Sequence, residues 1–258
     1  MTTNIGLARS YGRTPAQKRP TTITRHYLEQ APGSCLIQTG GTKVLCAVTI
    51  EEKVKPWRKG SGLGWITAEY AMLPAANGKR TARERANRQG RSMEIERLIG
   101  RSLRAAVDMG GMGGETSFYV DCDVIEADGG TRTASITGAW VALYDAFEFW
   151  KGAGKIRSNP ITSQVAAISV GQVAGQLLCD LDYQEDSRAE VDLNVVMNGS
   201  REIIEVQGTG ERATFGRSKL NAMLDLAEAG IEELLSAQRA ALGIEHLQEQ
   251  RTRGESTP

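Results

Sequence analysis

Histidine is almost missing from this chain: its 258 residues include only His26 and His246. Neither has a plausible triad partner in reach, so both read as structural, and no GxSxG nucleophile turn occurs. Cysteine is sparse as well. Cys35, Cys46, Cys122 and Cys179 are far apart, with no CxxC or Cys/His spacing, which argues against zinc and for free thiols in a reducing compartment. No apolar run approaches the ~20 residues of a membrane span, and no signal-peptide stretch opens the chain. A soluble, cytoplasmic protein is the expectation. Excess charge is also lacking. Thirty-one basic residues balance thirty-one acidic ones, so the whole molecule is not a basic nucleic-acid binder, and any basic site must be local.

What is present is a mixture of strand and helix patterns. Residues 1–20 hold Arg9, Arg13, Lys18 and Arg19 and read as an extended basic arm. Ser34–Thr39 and Lys43–Ile50 form a hairpin about Gly40-Gly41. Residues 53–64 and 74–91 are basic loops. Between and after them the periodicity predicts a helix over Ser92–Asp108, with Ile95, Leu98, Ile99 and Leu103 inward. On its other face Glu94, Arg97, Arg101, Arg104 and Asp108 recur at ion-pair spacing. A strand follows at Phe118–Ala127, then a helix at Thr131–Trp150 with Ile136, Trp140, Leu143, Tyr144 and Phe147 on one apolar face. After a polar linker, hairpins are expected at 165–173/176–183 and 192–197/202–207, closed by a helix at Ser218–Leu242. VLCAVTIEE at 44–52 faintly echoes LLCDLDYQE at 177–185, a hint of duplication. The class is α+β: one domain over 21–242 in two similar halves (about 21–150 and 160–242), with a polar tail over 243–258.

Three strings carry chemistry. In Asp128-Gly129-Gly130-Thr131-Arg132-Thr133-Ala134-Ser135 a turn opens a helix, where free N–H groups and a partial positive charge meet close-approach glycines, hydroxyls and a guanidinium. That is an anion cradle without Walker spacing; read alone, it is also an ordinary capped turn. The basic stretch Lys79, Arg80, Arg83, Arg85, Arg88, Arg91 precedes the first helix. Arginine at a helix start opposes the dipole, and a bound anion would relieve the conflict, which singles out Arg91. Arg83, Arg85 and Arg88 suit an arm gripping an RNA backbone, or a plain solvated loop. The third is acidic: Asp180, Asp182, Glu185, Asp186, Glu190 and Asp192, relieved in sequence only by Arg188. Asp186 and Asp192 flank a possible turn and could hold Mg²⁺ or supply a proton; a solubilising loop is the plain alternative.

Taken together, GRSMEIERLIGRSLRAAVD (90–108), DCDVIEADGGTRTASITGAWVAL (121–143), CDLDYQEDSRAEVDLNVVM (179–197), IIEVQGTGE (203–211) and KGSGLGWITAEYAMLP (59–74) resemble the bacterial ribonuclease PH family, in the family's order from about Arg9 to Leu242. The resemblance implies a phosphorolytic 3′→5′ exoribonuclease acting on tRNA precursors (a tRNA nucleotidyltransferase), a role in tRNA and rRNA processing, a fold related to polynucleotide phosphorylase and exosome ring subunits, and a hexameric ring. It implies phosphate held by Arg91, Gly130, Thr131 and Arg132, and metal-binding acids at Asp186 and Asp192. Asn194 stands where polynucleotide phosphorylases carry lysine, which fits the ribonuclease PH branch. Asp180 and Asp182 have weaker support as ligands. Two rivals remain: a hydrolytic nuclease and a non-catalytic RNA-binding ring subunit.

Overall fold

The computed structural model describes residues 9–83 and 90–245. Arg85, Arg88, His246 and the expected tail beyond residue 245 lie outside these. The described chain runs β1 (Thr21–Arg25), β2 (Gly33–Thr39), β3 (Thr42–Glu51), β4 (Trp65–Met72), α1 (Gly90–Arg104), β5 (Ser117–Glu126), α2 (Thr131–Gly152), β6 (Val165–Val173), β7 (Gln176–Cys179), α3 (Tyr183–Asp186), β8 (Val191–Asn198), β9 (Ile203–Thr209) and α4 (Arg217–Leu242). A five-stranded sheet has the order β1-β2-β3-β5-β4, and a four-stranded sheet the order β7-β6-β8-β9. All pairs are antiparallel except β4 and β5, which α1 joins as a crossover. The expected α+β class is what the chain adopts.

Helix α2 is the layer between the sheets, packing on β2 and β3 on one side and β6 on the other. The apolar stripe expected for it is therefore incomplete as a description. Sixteen of the 22 residues of α2 are buried, including Ala134, Ala139, Ala142 and Thr137, because a helix enclosed by two sheets has little solvent face before its last turn. Full burial of side chains such as Trp140 and Phe147 contributes about 1.5–3 kcal/mol each. Trp140 satisfies its indole N–H on the Ser163 carbonyl at 3.0 Å. Gln238 of α4, fully buried, donates to the carbonyls of Thr137 and Val165, tying α4, α2 and β6 together.

All four cysteines are free and buried. Cys35, Cys46 and Cys122 are directly opposite one another across β2, β3 and β5, beneath the first turns of α2. Hydrogen bonding with Cys122 and Cys35, and then burial, push the Cys46 thiol well up, so it stays protonated and unreactive.

Several expectations need correction. Residues 9–19 are not a free arm: Arg9, Arg13 and Arg19 are buried against the second half of the chain. Strands β1 and β4 were not anticipated. The strand expected over 176–183 stops at Cys179, because Asp180 takes a left-handed φ of 55° and Asp182 caps α3 with a reciprocal capping box. The arginine-rich face of α1 does not pair along the helix as expected. Arg101 reaches Glu205 on β9 (2.6 Å), and Arg104 stacks over Trp65 and donates to the Ile66 carbonyl. Glu94 faces Arg132, and Asp108 lies beyond the helix, accepting from the Gly110 N–H. The echo between 44–52 and 177–185 marks no structural equivalence: β3 is an interior strand, β7 an edge strand running into a turn.

Candidate active site

The turn after β5 brings the chain back over the sheet and starts α2. Gly129 and Gly130 take left-handed φ values of 74° and 64°. A Cβ on Gly129 would lie 2.6 Å from the Leu181 carbonyl oxygen, so only glycine lets this turn lie against the segment that leads to α3. The first turn of α2 carries no acidic residue, and its leading amides have no intrahelical acceptor, which leaves a positive, hydrogen-bonding end. Thr131 is the first helical residue and Arg132 the second. Ser135, expected as a further hydroxyl donor, is instead turned inward, donating to the Thr131 carbonyl at 2.8 Å.

Arg19 ties this turn to the acidic segment. Its guanidinium is fully buried and donates to the carbonyls of Asp128, Gly129 (3.3 Å) and Leu181 (3.3 Å), and to both oxygens of Asp180 (2.7 and 3.0 Å). Arg9 forms a bidentate pair with Glu185 at 2.6 and 3.0 Å, and Arg13 approaches Asp182 and Glu185. Asp180, Asp182 and Glu185 are thus structural partners of the N-terminal arginines, and the expected relief by Arg188 alone does not hold. Burial opposes ionisation of Asp182, yet the Glu185 amide, the Ser10 hydroxyl, Arg13 and Arg19 hold its carboxyl below the usual range.

Asp186 and Asp192 escape this pairing. Asp186 ends α3; Asp192 is near the start of β8, two residues before Asn194, whose amide donates to Asp192 Oδ2 at 3.3 Å. The other oxygen, Asp192 Oδ1, is buried with no hydrogen-bond partner among the described residues. Burial, with Asp186 next, pushes the Asp192 carboxyl up to about 6, against the pull of Arg132. Burial also raises Asp186, against Arg91 and Arg132.

These side chains share one cavity of about 700 Å³, whose wall includes Arg91, Gly130, Thr131, Arg132, Asp186 and Asp192. Arg83 lines it too, facing Asp123, a carboxyl that burial raises and Arg83 lowers. Arg132 is steadied by Glu94 at 3.3 Å and Gln207 at 3.2 Å. The structure therefore gathers Arg83, Arg91, Gly130, Thr131, Arg132, Asp186 and Asp192 in one cavity, and leaves Ser135, Asp180 and Asp182 out of it. It adds some not singled out from the sequence: Tyr70, whose hydroxyl is 2.8 Å from Thr131 Oγ1, and the β4–β5 carboxyls Glu69, Asp121 and Asp123 line the cavity, while Gln207 and Glu94 hold Arg132. Gln207 falls within the quoted string at 203–211, which was the available signal; Tyr70 had none beyond its place in the string at 59–74.

The chemistry of such a wall is specific. Two cations and a helix entrance favour an oxyanion, and two strained carboxylates beside them favour a cation or a proton. Comparisons with known proteins show the family and the fold. Residues 17–147 match domain 1 of the 3′ exoribonuclease family, and residues 163–230 match domain 2. The chain is 54% identical over 233 residues to a ribonuclease PH from Synechococcus sp. (strain CC9605), covering 90% of this chain and 94% of that one. In fold it resembles rice (Oryza sativa) Rrp46, with TM-score 0.73 and 20% identity over 91% of this chain and 100% of the other. It also resembles a chain of the Archaeoglobus fulgidus exosome solved with RNA bound to the active site, with TM-score 0.77 and 21% identity over 88% and 91%. With both domains present in order, and a relative 54% identical over 90% of its length, this chain belongs to the 3′ exoribonuclease family.

Proposed function

We propose that the protein is a phosphorolytic 3′→5′ exoribonuclease of the ribonuclease PH type, a nucleotidyltransferase that trims tRNA precursors. The observation that carries this reading is the single cavity in which Arg91, Thr131 and Arg132 stand with Asp186 and Asp192. An oxygen of inorganic phosphate attacks the phosphorus of the last phosphodiester. The bond from that phosphorus to the 3′ oxygen of the penultimate nucleotide breaks, and a nucleoside diphosphate leaves. The 3′ oxygen takes up a proton. Bringing two anions together is the difficulty, so positioning and charge neutralisation dominate. Arg91, Arg132, the Thr131 hydroxyl and the Gly130 turn hold the incoming phosphate. Asp186 and Asp192 either hold Mg²⁺ as carboxylates or, with no ion between them, one of them supplies the proton that the departing oxygen takes up; burial, which raises Asp192 to about 6, favours the protonated form in the second case. One anhydride-like bond replaces one phosphodiester, so the reaction runs backwards with nucleoside diphosphates.

Mg²⁺ fits the acid pair. The orphaned Asp192 Oδ1 and the mutual repulsion of Asp186 and Asp192 are what a cation would satisfy. Two carboxylates suffice for an ion that keeps several waters, and no denser group of metal-ligating side chains occurs among the described residues. When bound, the ion would neutralise charge on the reacting phosphodiester.

Arg83, at the cavity wall, contacts the RNA backbone in this reading; Arg85 and Arg88, proposed for the same role, lie outside the described residues. The two halves act as one unit, since the cavity draws residues from both. A hexameric ring is proposed on the family resemblance, and exposed Ile203 and Val206 on the edge strand β9 support self-association. Four free thiols suit the cytoplasm, and no helix among the described residues is long and apolar enough to cross a membrane.

The test mixes protein, RNA with a 3′ overhang, Mg²⁺ and phosphate. Release of nucleoside diphosphate that scales with phosphate is expected, and Asp186→Asn should lower turnover on the order of 10²–10³-fold with RNA binding intact. Monophosphate release indifferent to phosphate would mean a hydrolase; full turnover in Asp186→Asn would mean the acid pair is not catalytic.

A further inference from the structure

Strand β4 presents Ile66, Ala68 and Tyr70 to the core in alternation, and Tyr70 closes that row at the cavity wall. Phenylalanine would pack there equally well. What tyrosine adds is one oxygen, 2.8 Å from Thr131 Oγ1. Either hydroxyl is able to donate, but their chemistry favours one direction. A phenol is the more acidic O–H and the poorer acceptor, so Tyr70 donates and Thr131 accepts. Burial pushes the Tyr70 phenol further up, against Thr131, Arg91 and Arg132, so its proton stays in place. Thr131 is left holding its own proton with no other acceptor among the described residues. A lone threonine at a helix entrance can turn either its proton or a lone pair toward an anion, and the second arrangement repels. Here one of its two lone pairs is engaged by the phenol, so the proton is directed away from Tyr70 and is left for the anion.

We propose that Tyr70 is a positioning residue that orients the Thr131 hydroxyl to donate to the attacking phosphate. The inference rests on the reading of Thr131 as a phosphate ligand.

The test measures KM for phosphate at saturating RNA, KM for RNA at saturating phosphate, and the melting temperature. The variants are Tyr70→Phe, Thr131→Val, Thr131→Ser, and Tyr70→Phe combined with each threonine change. Tyr70→Phe should raise KM for phosphate about fivefold, the worth of one modest hydrogen bond, and leave KM for RNA unmoved. Thr131→Val should raise KM for phosphate at least as much, and adding Tyr70→Phe to it should do nothing more. In the Thr131→Ser background, which keeps a hydroxyl, Tyr70→Phe should still cost about fivefold. If Thr131→Val raises KM for phosphate but Tyr70→Phe does not, or if the two effects multiply, Tyr70 does not act through Thr131. A fall in melting temperature with both KM values rising together would make Tyr70 a packing residue only. If Thr131→Val leaves KM for phosphate unchanged, the underlying reading of Thr131 fails, and the inference with it.

Discussion

The acidic run from Asp180 to Asp192 divides into two regions with opposite physics. Asp180, Asp182 and Glu185 are buried and matched to Arg9, Arg13 and Arg19. Asp186 and Asp192 have no such partner within ion-pair distance among the described residues and press on each other across the cavity. Asp182 is held below the usual carboxylate range, Asp192 well above it. Neighbouring carboxylates thus become structural joints, or stay free for the chemistry proposed above, according to where the cations sit. Buried and satisfied groups stabilise; buried and unsatisfied ones store free energy for a ligand.

The contrast can be broken most forcefully at Arg19. Removing it by Arg19→Ala strands Asp180 in the interior and should cost about 3–5 kcal/mol of unfolding free energy, read by denaturant titration. A loss below 1 kcal/mol would mean the arginine set is ornamental. Asp192→Asn should act in the other direction. Asp192 has a folded value of about 6, above its ordinary value, so its ionised form costs stability as pH rises through that interval. Without Mg²⁺, the asparagine variant should exceed the parent by up to about 3 kcal/mol above pH 7, with the gap closing below pH 4. Asp182 has the opposite sign: its stabilising contribution is present above the ordinary carboxylate value and lost as pH falls through its depressed folded value. The smallest effect sits at the rim, where Arg83 is exposed opposite Asp123. Arg83→Gln should leave stability within about 0.5 kcal/mol and reduce the slope of log RNA affinity against log salt by about 0.7. An unchanged slope would remove Arg83 from the RNA path.

Much of this was legible in the chain itself. The helices α1, α2 and α4 and the hairpins β2–β3 and β8–β9 follow from periodicity and glycine turns, and the cavity residues from three short strings. What stayed hidden has physical reasons. Strand β4 is a short run set between two basic loops. The small residues of α2 carry no hydrophobic signal, yet they are what two sheets can pack against. The pairing of Arg9, Arg13 and Arg19 with carboxylates far along the chain has no local signature, so a buried clamp looked like a solvated arm. Tyr70 was invisible for a different reason: its role lies in a single hydroxyl, and an alternating strand reads the same with or without it.

The row of three thiols under α2 carries a consequence of its own. No alkylating reagent reaches them while the helix rests on the sheet, and the entrance of that helix is the proposed anion cradle. The rate at which they become labelled is a clock for how often the roof of the cavity lifts, read from thiols the chain already carries.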